Sequence, residues 1–143
     1  MKKNIEEKLQ APSKDMIELA QAMMARAHAP YSRFRVGAVL RGANGKLYGG
    51  CNVENAAYPQ SACAEACAIG AMVADGETNI EEVLVMAAGE GLVTPCGGCR
   101  QRLREFAGDG VPVHLCDPHA LRRTVTLGDL LPLSFGPDHL KTA

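Results

Sequence analysis

The chain has no surplus of charge of either sign. Fifteen Lys and Arg stand against 16 Asp and Glu, a formal net charge of -1 over 143 residues. Nucleic-acid grooves are lined by a basic stripe, and here the two signs are mixed along the chain, which argues against a polynucleotide partner. The sequence also lacks any apolar run long enough to cross a bilayer. Its start, MKKNIEEKLQ, carries lysines with no apolar stretch behind them, so no secretory leader is expected, and the expected compartment is the cytoplasm. There is no internal repeat, low-complexity tract or domain linker. What is present is 47% hydrophobic, which suits one globular domain with a real core. The expected organisation is a flexible arm over residues 1–12 and a single domain over 13–143.

Apolar periodicity sets the element order. SKDMIELAQAMMARAH, residues 13–28, has helical spacing, with Ser13 as a cap and Pro30 as the break. FRVGAVL and KLYGGCNV read as two strands joined by the turn residues GANG. Pro59 is expected to open a helix over about 60–75. IEEVLVMAA, 80–88, ends in a continuous apolar run that fits a strand buried on both faces. A helix following PCGGC and ending near Gly108, a strand at VPVHLC (111–116), and a tail with a short strand, a helical turn and a loop complete the chain. Helices alternating with buried strands predict an α/β fold with the sheet sandwiched between helices.

Six cysteines punctuate this pattern: Cys51, Cys63, Cys67, Cys96, Cys99 and Cys116. In a reducing compartment such residues point to metal binding or catalysis ahead of disulfides. Cys51, Cys67 and Cys116 read as small buried hydrophobes. Cys96 and Cys99 form a C-x-x-C at a helix start, a spacing that can hold one ion or do redox chemistry. Cys63 and Cys67 can add further sulfurs. If all four ligate, the site is closed and structural; if Cys67 stays away, one corner of the ion is open for water. Glu65 distinguishes the two. Set in the small apolar run SACAEACAIG, it is an acid in a segment that reads as buried, which is costly unless something pairs with it or uses it. An open zinc site can use a neighbouring acid to accept a proton from water, whereas a closed one cannot. Cys-x-Glu followed by Pro-Cys-x-x-Cys is the two-part pattern of zinc deaminases.

With these motifs, and with PYSRFRVGAVL, GCNVENAAYP, TPCGGCRQ and LLPLSFGPDHL, the chain resembles the small homotetrameric cytidine deaminases over most of residues 30–140. The resemblance implies a three-layer α-β-α sandwich with a mixed five-stranded sheet, one zinc per chain, a homotetramer, and deamination of cytidine and 2′-deoxycytidine in pyrimidine salvage. It implies that Cys63, Cys96 and Cys99 bind the metal while Glu65 shuttles protons. Asn52 and Glu54 would bind the ribose, chiefly its 3′-hydroxyl, and Phe34 would pack beside the base. The Ala64 backbone would contact the base carbonyl, and the Thr94 carbonyl would accept from the departing amino group. Phe135 would close a neighbouring subunit's pocket. By alternation with Val36 alone, Phe34 reads instead as core. Many members carry Arg directly after the acid, where this chain has Ala66. That leaves Arg100 and two helix dipoles to offset the negative charge of three thiolates on one zinc. His28, His114, His119 and His139 match no ligand spacing and read as surface or structural. Two rival functions stay open: a deaminase of a related cytosine nucleoside such as blasticidin S, and a zinc-stabilised binding module without turnover.

Overall fold

The computed structural model describes residues 10–141. Most of the expected N-terminal arm, residues 1–9, therefore lies outside the described residues. The first helix, α1 (Lys14–Arg26), starts where Ser13 accepts a hydrogen bond from the Met16 N–H at 3.3 Å. It stops two residues before the expected end. Ala27 leaves helical geometry, and the His28 backbone instead exchanges hydrogen bonds with Asn52 and Glu54. Two strands follow, β1 (Val36–Gly42) and β2 (Leu47–Cys51), paired antiparallel across the GANG turn as their sequence dictates.

The second helix begins later than its sequence suggested. Pro59 opens only a 3₁₀ turn, Tyr58–Gln60, and the chain then runs extended to Cys63. The cause is a backbone pairing: Ala62 and Val53 exchange both N–H···O bonds at 2.9 Å, so the chain is held straight until it has passed them. Helix α2 (Ala64–Ala74) then starts with Cys63 at its cap. Strand β3 (Ile80–Ala87), helix α3 (Gly97–Phe106), strands β4 (Pro112–Cys116) and β5 (Leu121–Thr126), and the single turn α4 (Leu127–Leu130) complete the order.

Among the described residues the sheet has five strands in the order β2-β1-β3-β4-β5, of which only β3 and β4 run parallel to each other. Alternation along the strands divides the core into two layers. Ala38, Leu40, Val83, Val85, Val113 and Leu115 face α2, α3 and α4, meeting Ala68, Met72, Leu103 and Leu127. Val39, Leu84 and Met86 face α1, meeting Met16 and Ala20. This is the expected three-layer sandwich with a mixed sheet. His114, wholly buried, bridges Glu82 at 2.7 Å and Thr124 at 2.9 Å, a structural role.

Two close approaches fix the helices on the sheet. A Cβ built at Gly37 would lie 2.3 Å from the Ala20 carbonyl oxygen of α1. One at Gly50 would lie 2.4 Å from the Ala68 nitrogen and 2.5 Å from the Ala64 oxygen of α2. Only a residue without a side chain lets α2 sit this deep, and the first turn of α2 carries Glu65. No helix among the described residues is long and apolar enough to cross a membrane.

Candidate active site

Cys63 and Cys96 occupy equivalent local positions. Each is the N-cap of a helix, α2 and α3 respectively, with extended backbone and no side-chain cap bond. The first N–H groups of a helix lack intrahelical partners and carry its positive end, so both sulfurs sit where negative charge is favoured. Cys99 lies one turn into α3 and is fully buried. The three sulfurs lie within 4.8 Å of one another, with 4.0 Å between those of Cys63 and Cys96.

This donor set fits zinc. Tetrahedral coordination with Zn–S bonds of about 2.3 Å requires sulfurs about 3.8 Å apart. Burial pushes the Cys63 and Cys99 thiols up, whereas the Cys99 backbone amide beside its sulfur holds Cys96 below the ordinary thiol range. Thiols must shed protons to ligate, and a divalent cation supplies the charge that lets all three do so together. Among the described residues the cluster consists of Cys63, Cys96 and Cys99; Cys67 is not part of it.

Glu65, the second residue of α2, is 4% exposed. Burial raises its pKa, while a hydrogen bond with the Cys99 thiol, its own backbone amide and the charge of Arg102 pull the other way. A carboxyl group moved toward neutrality beside a cluster of sulfurs is placed to accept a proton and to return it.

The cluster opens into a cleft of about 220 Å³. Phe34, Asn52, Cys63, Ala64, Glu65, Thr94 and Cys96 line it, together with Val36, Val85 and Val93. Phe34 precedes β1 and is 45% exposed, so it is not the core residue that alternation suggests. Asn52 is a brace as well as a wall: its Oδ1 accepts from the Val36 N–H at 2.8 Å and its Nδ2 donates to the Phe34 carbonyl at 2.7 Å. Glu54 is not among those residues and lies in a second hollow with Tyr31, Ser32, Tyr58 and Ser61. Its carboxylate accepts from the Tyr31 and Ser32 amides at 3.0 and 3.1 Å and from the Ser32 hydroxyl. Phe135 is not in the cleft of its own chain. It is 57% exposed and stacks on His139, and its carbonyl accepts from Gln101 of α3 at 2.9 Å.

Arg100 does not direct its charge at the sulfurs. Its guanidinium donates to the carbonyls of Pro95 (2.7 Å) and Leu130 (2.8 Å) and to the Thr94 hydroxyl (2.9 Å), tying down the loop that enters α3. The cation beside the cluster is Arg102, whose Nη1 lies 3.9 Å from Cys99 Sγ. Sequence reasoning passed over Arg102, although three-residue helical spacing from Cys99 marks it as a neighbour. The three valines of the cleft carry no such signal, because apolar residues in strands and loops read as core.

Residues 11–115 match the family described as the cytidine and deoxycytidylate deaminase zinc-binding region. The chain belongs to this family. A cytidine deaminase of Sporosarcina psychrophila is 40% identical over 127 residues, covering 87% of this chain and 93% of that protein. A cytidine deaminase of Mycobacterium tuberculosis strain H37Rv is 39% identical over 116 residues, covering 81% of this chain and 84% of its own. The crystal structure of the cytidine deaminase from Burkholderia pseudomallei superposes with a TM-score of 0.81 at 38% identity, covering 87% of this chain and all of that one. In this deaminase family member, the matched zinc-binding region contains all three cysteines of the Cys63, Cys96 and Cys99 cluster.

Proposed function

We propose that the protein hydrolyses cytidine and 2′-deoxycytidine to uridine and 2′-deoxyuridine with release of ammonia, as a step of pyrimidine salvage. The observation that carries this reading is the buried Glu65 carboxyl, which lines the same cleft as two sulfurs of the three-cysteine cluster. Cys63, Cys96 and Cys99 would hold zinc, which would supply the Lewis acidity that makes the attacking water easier to deprotonate. Glu65 takes the first proton of the attacking water and delivers it to N3 of the cytosine ring, which makes C4 more electrophilic. It then takes the second proton from the new C4 hydroxyl and delivers it to the exocyclic amine. Ammonia leaves and the C4 carbonyl forms, so one water is consumed per turnover.

The remaining roles follow the cleft. The Ala64 N–H, at the first turn of α2, is free to donate to the base carbonyl. Phe34 offers a flat apolar wall to the ring. The Thr94 carbonyl is assigned to the departing amine. Asn52 and Glu54 are assigned to the ribose. Asn52 already holds the Val36 backbone and Glu54 the Ser32 backbone, which pre-organises each side chain. Residues 13–143 form the catalytic unit.

We also propose a homotetramer in which Phe135 closes a neighbour's cleft. Phe34, Tyr58, Leu133 and Phe135 are all exposed, large apolar side chains that a partner copy would cover. A cytoplasmic site of action suits a cluster that must stay reduced to hold its metal.

Ammonia release from cytidine, 2′-deoxycytidine and blasticidin S, measured side by side with elemental analysis, tests the proposal. Turnover of the first two with about one zinc per chain is expected. Zinc-loaded protein that releases ammonia from neither nucleoside would overturn it. A binding module without turnover would need a fourth protein sulfur, and Cys67 stands outside the cluster.

A further inference from the structure

Three thiolates on a divalent ion carry a net charge of minus one, and an anionic cluster holds its last thiolate weakly and draws little density from a bound water. Something must offset that charge, and Arg100, the nearest basic residue in sequence, spends its guanidinium on Pro95, Leu130 and Thr94. We infer that Arg102 is the counter-charge of the metal cluster, a positioning residue that acts through the Cys99 sulfur. This inference rests on zinc binding by Cys63, Cys96 and Cys99.

Two features of α3 support it. The first is the contact itself: Nη1 of Arg102 lies 3.9 Å from Cys99 Sγ, within reach of a charge-assisted N–H···S interaction. The second is the space that makes the contact possible. Side chains on a helix lean toward its N-terminus, so a long residue covers the turn before its own. For Arg102 that turn contains Gly98, and a Cβ built on Gly98 would stand 3.1 Å from Nη1 of Arg102. The guanidinium lies in the space that a side chain at position 98 would occupy. An arginine with no task on an exposed helix face would extend into water; this one folds back over the start of α3 toward a buried sulfur. The same guanidinium places positive charge near Glu65 as well.

The test compares the holoenzyme with Arg102→Gln and Arg102→Lys in zinc competition against a chromophoric chelator, and in the absorption of the cobalt-substituted proteins. Residues that support metal ligands from the outer shell change metal affinity by about 10- to 100-fold. Arg102→Gln is expected to release zinc about 10-fold more readily. Arg102→Lys, which keeps the charge, is expected to recover most of the loss. The sulfur-to-cobalt charge-transfer band should move to longer wavelength in Arg102→Gln, because the sulfur electrons lose a nearby cation, and stay near the parent position in Arg102→Lys. The metal-free proteins should melt together, since Arg102 is exposed and contributes charge rather than packing. Equal zinc affinity in all three proteins would overturn the inference. So would an equal loss in both variants, which would assign the effect to shape instead of charge. Parent protein that binds no zinc would overturn the metal reading itself, and this inference with it.

Discussion

At the scale of single residues, chemistry and scaffolding are assigned to different carboxylates. Glu65 is buried and poised, and replacing it by Gln keeps its shape while removing its ability to carry protons. Glu65→Gln is expected to keep about one zinc per chain and to lose at least the hundred- to ten-thousandfold that general acid–base catalysis contributes. Ammonia release and metal content, measured on the same sample, check this; parent-level turnover would refute the role given to Glu65. Glu54 behaves in the opposite sense. Hydrogen bonds from the Ser32 hydroxyl and amide hold its pKa below the ordinary value. A depressed carboxylate stabilises the fold above its unfolded pKa, about 4.3, and that contribution disappears as pH falls through the folded value. The Tyr31 and Ser32 amide chemical shifts should therefore stay constant above about pH 5 and move below about pH 4. Glu54→Gln should abolish that acid transition. Glu65 and the three cysteines were legible in the sequence because their chemistry depends on local spacing. The tasks of Arg100 and Arg102 were not, because two arginines two residues apart on one helix point to different sides, and only the fold tells which side holds sulfur.

At the scale of elements, two helix starts converge on one cluster of sulfurs, and the sheet sets how deep each may sit. Gly50 of β2 is the contact that seats α2. Any side chain there meets backbone atoms, which cannot rotate away, so Gly50→Ala is expected to cost about 1–3 kcal/mol and to weaken zinc binding by displacing Cys63 and Glu65. Gly70, on the open face of the same helix, has nothing within 4 Å of a built Cβ. Gly70→Ala should stabilise the protein by up to about 1 kcal/mol through helix propensity. Urea denaturation of both variants checks the contrast. Metal removal acts at this scale too. Zinc in about 100-fold excess over its Kd adds about 2.7 kcal/mol, so stripping it should lower the melting temperature by about 9 °C. The element order was legible from periodicity, because buried strands and amphipathic helices repeat differently. The start of α2 was not: Pro59 is a good helix opener, and the Val53–Ala62 pairing that overrides it joins residues whose side chains give no sign of it.

For the whole molecule, the sandwich followed from alternating helices and apolar strands, whereas the mixed five-stranded sheet followed from the family resemblance. The side on which each helix packs did not, since that depends on crossovers between strands distant in sequence. The exposed Leu133 and Phe135 set a further expectation. Sedimentation should give the mass of four chains, and Leu133→Asp should shift it to smaller species and raise KM. A parent protein that sediments as one chain would overturn the tetramer. The single parallel pair, β3 beside β4, has a kinetic consequence. Cys63 precedes β3, whereas Cys96 and Cys99 lie in the crossover between β3 and β4, so the metal can join them only after long-range strand order is established. A bond formed that late lies beyond the folding barrier. Zinc should leave the refolding rate unchanged and slow the rate at which the native protein comes apart.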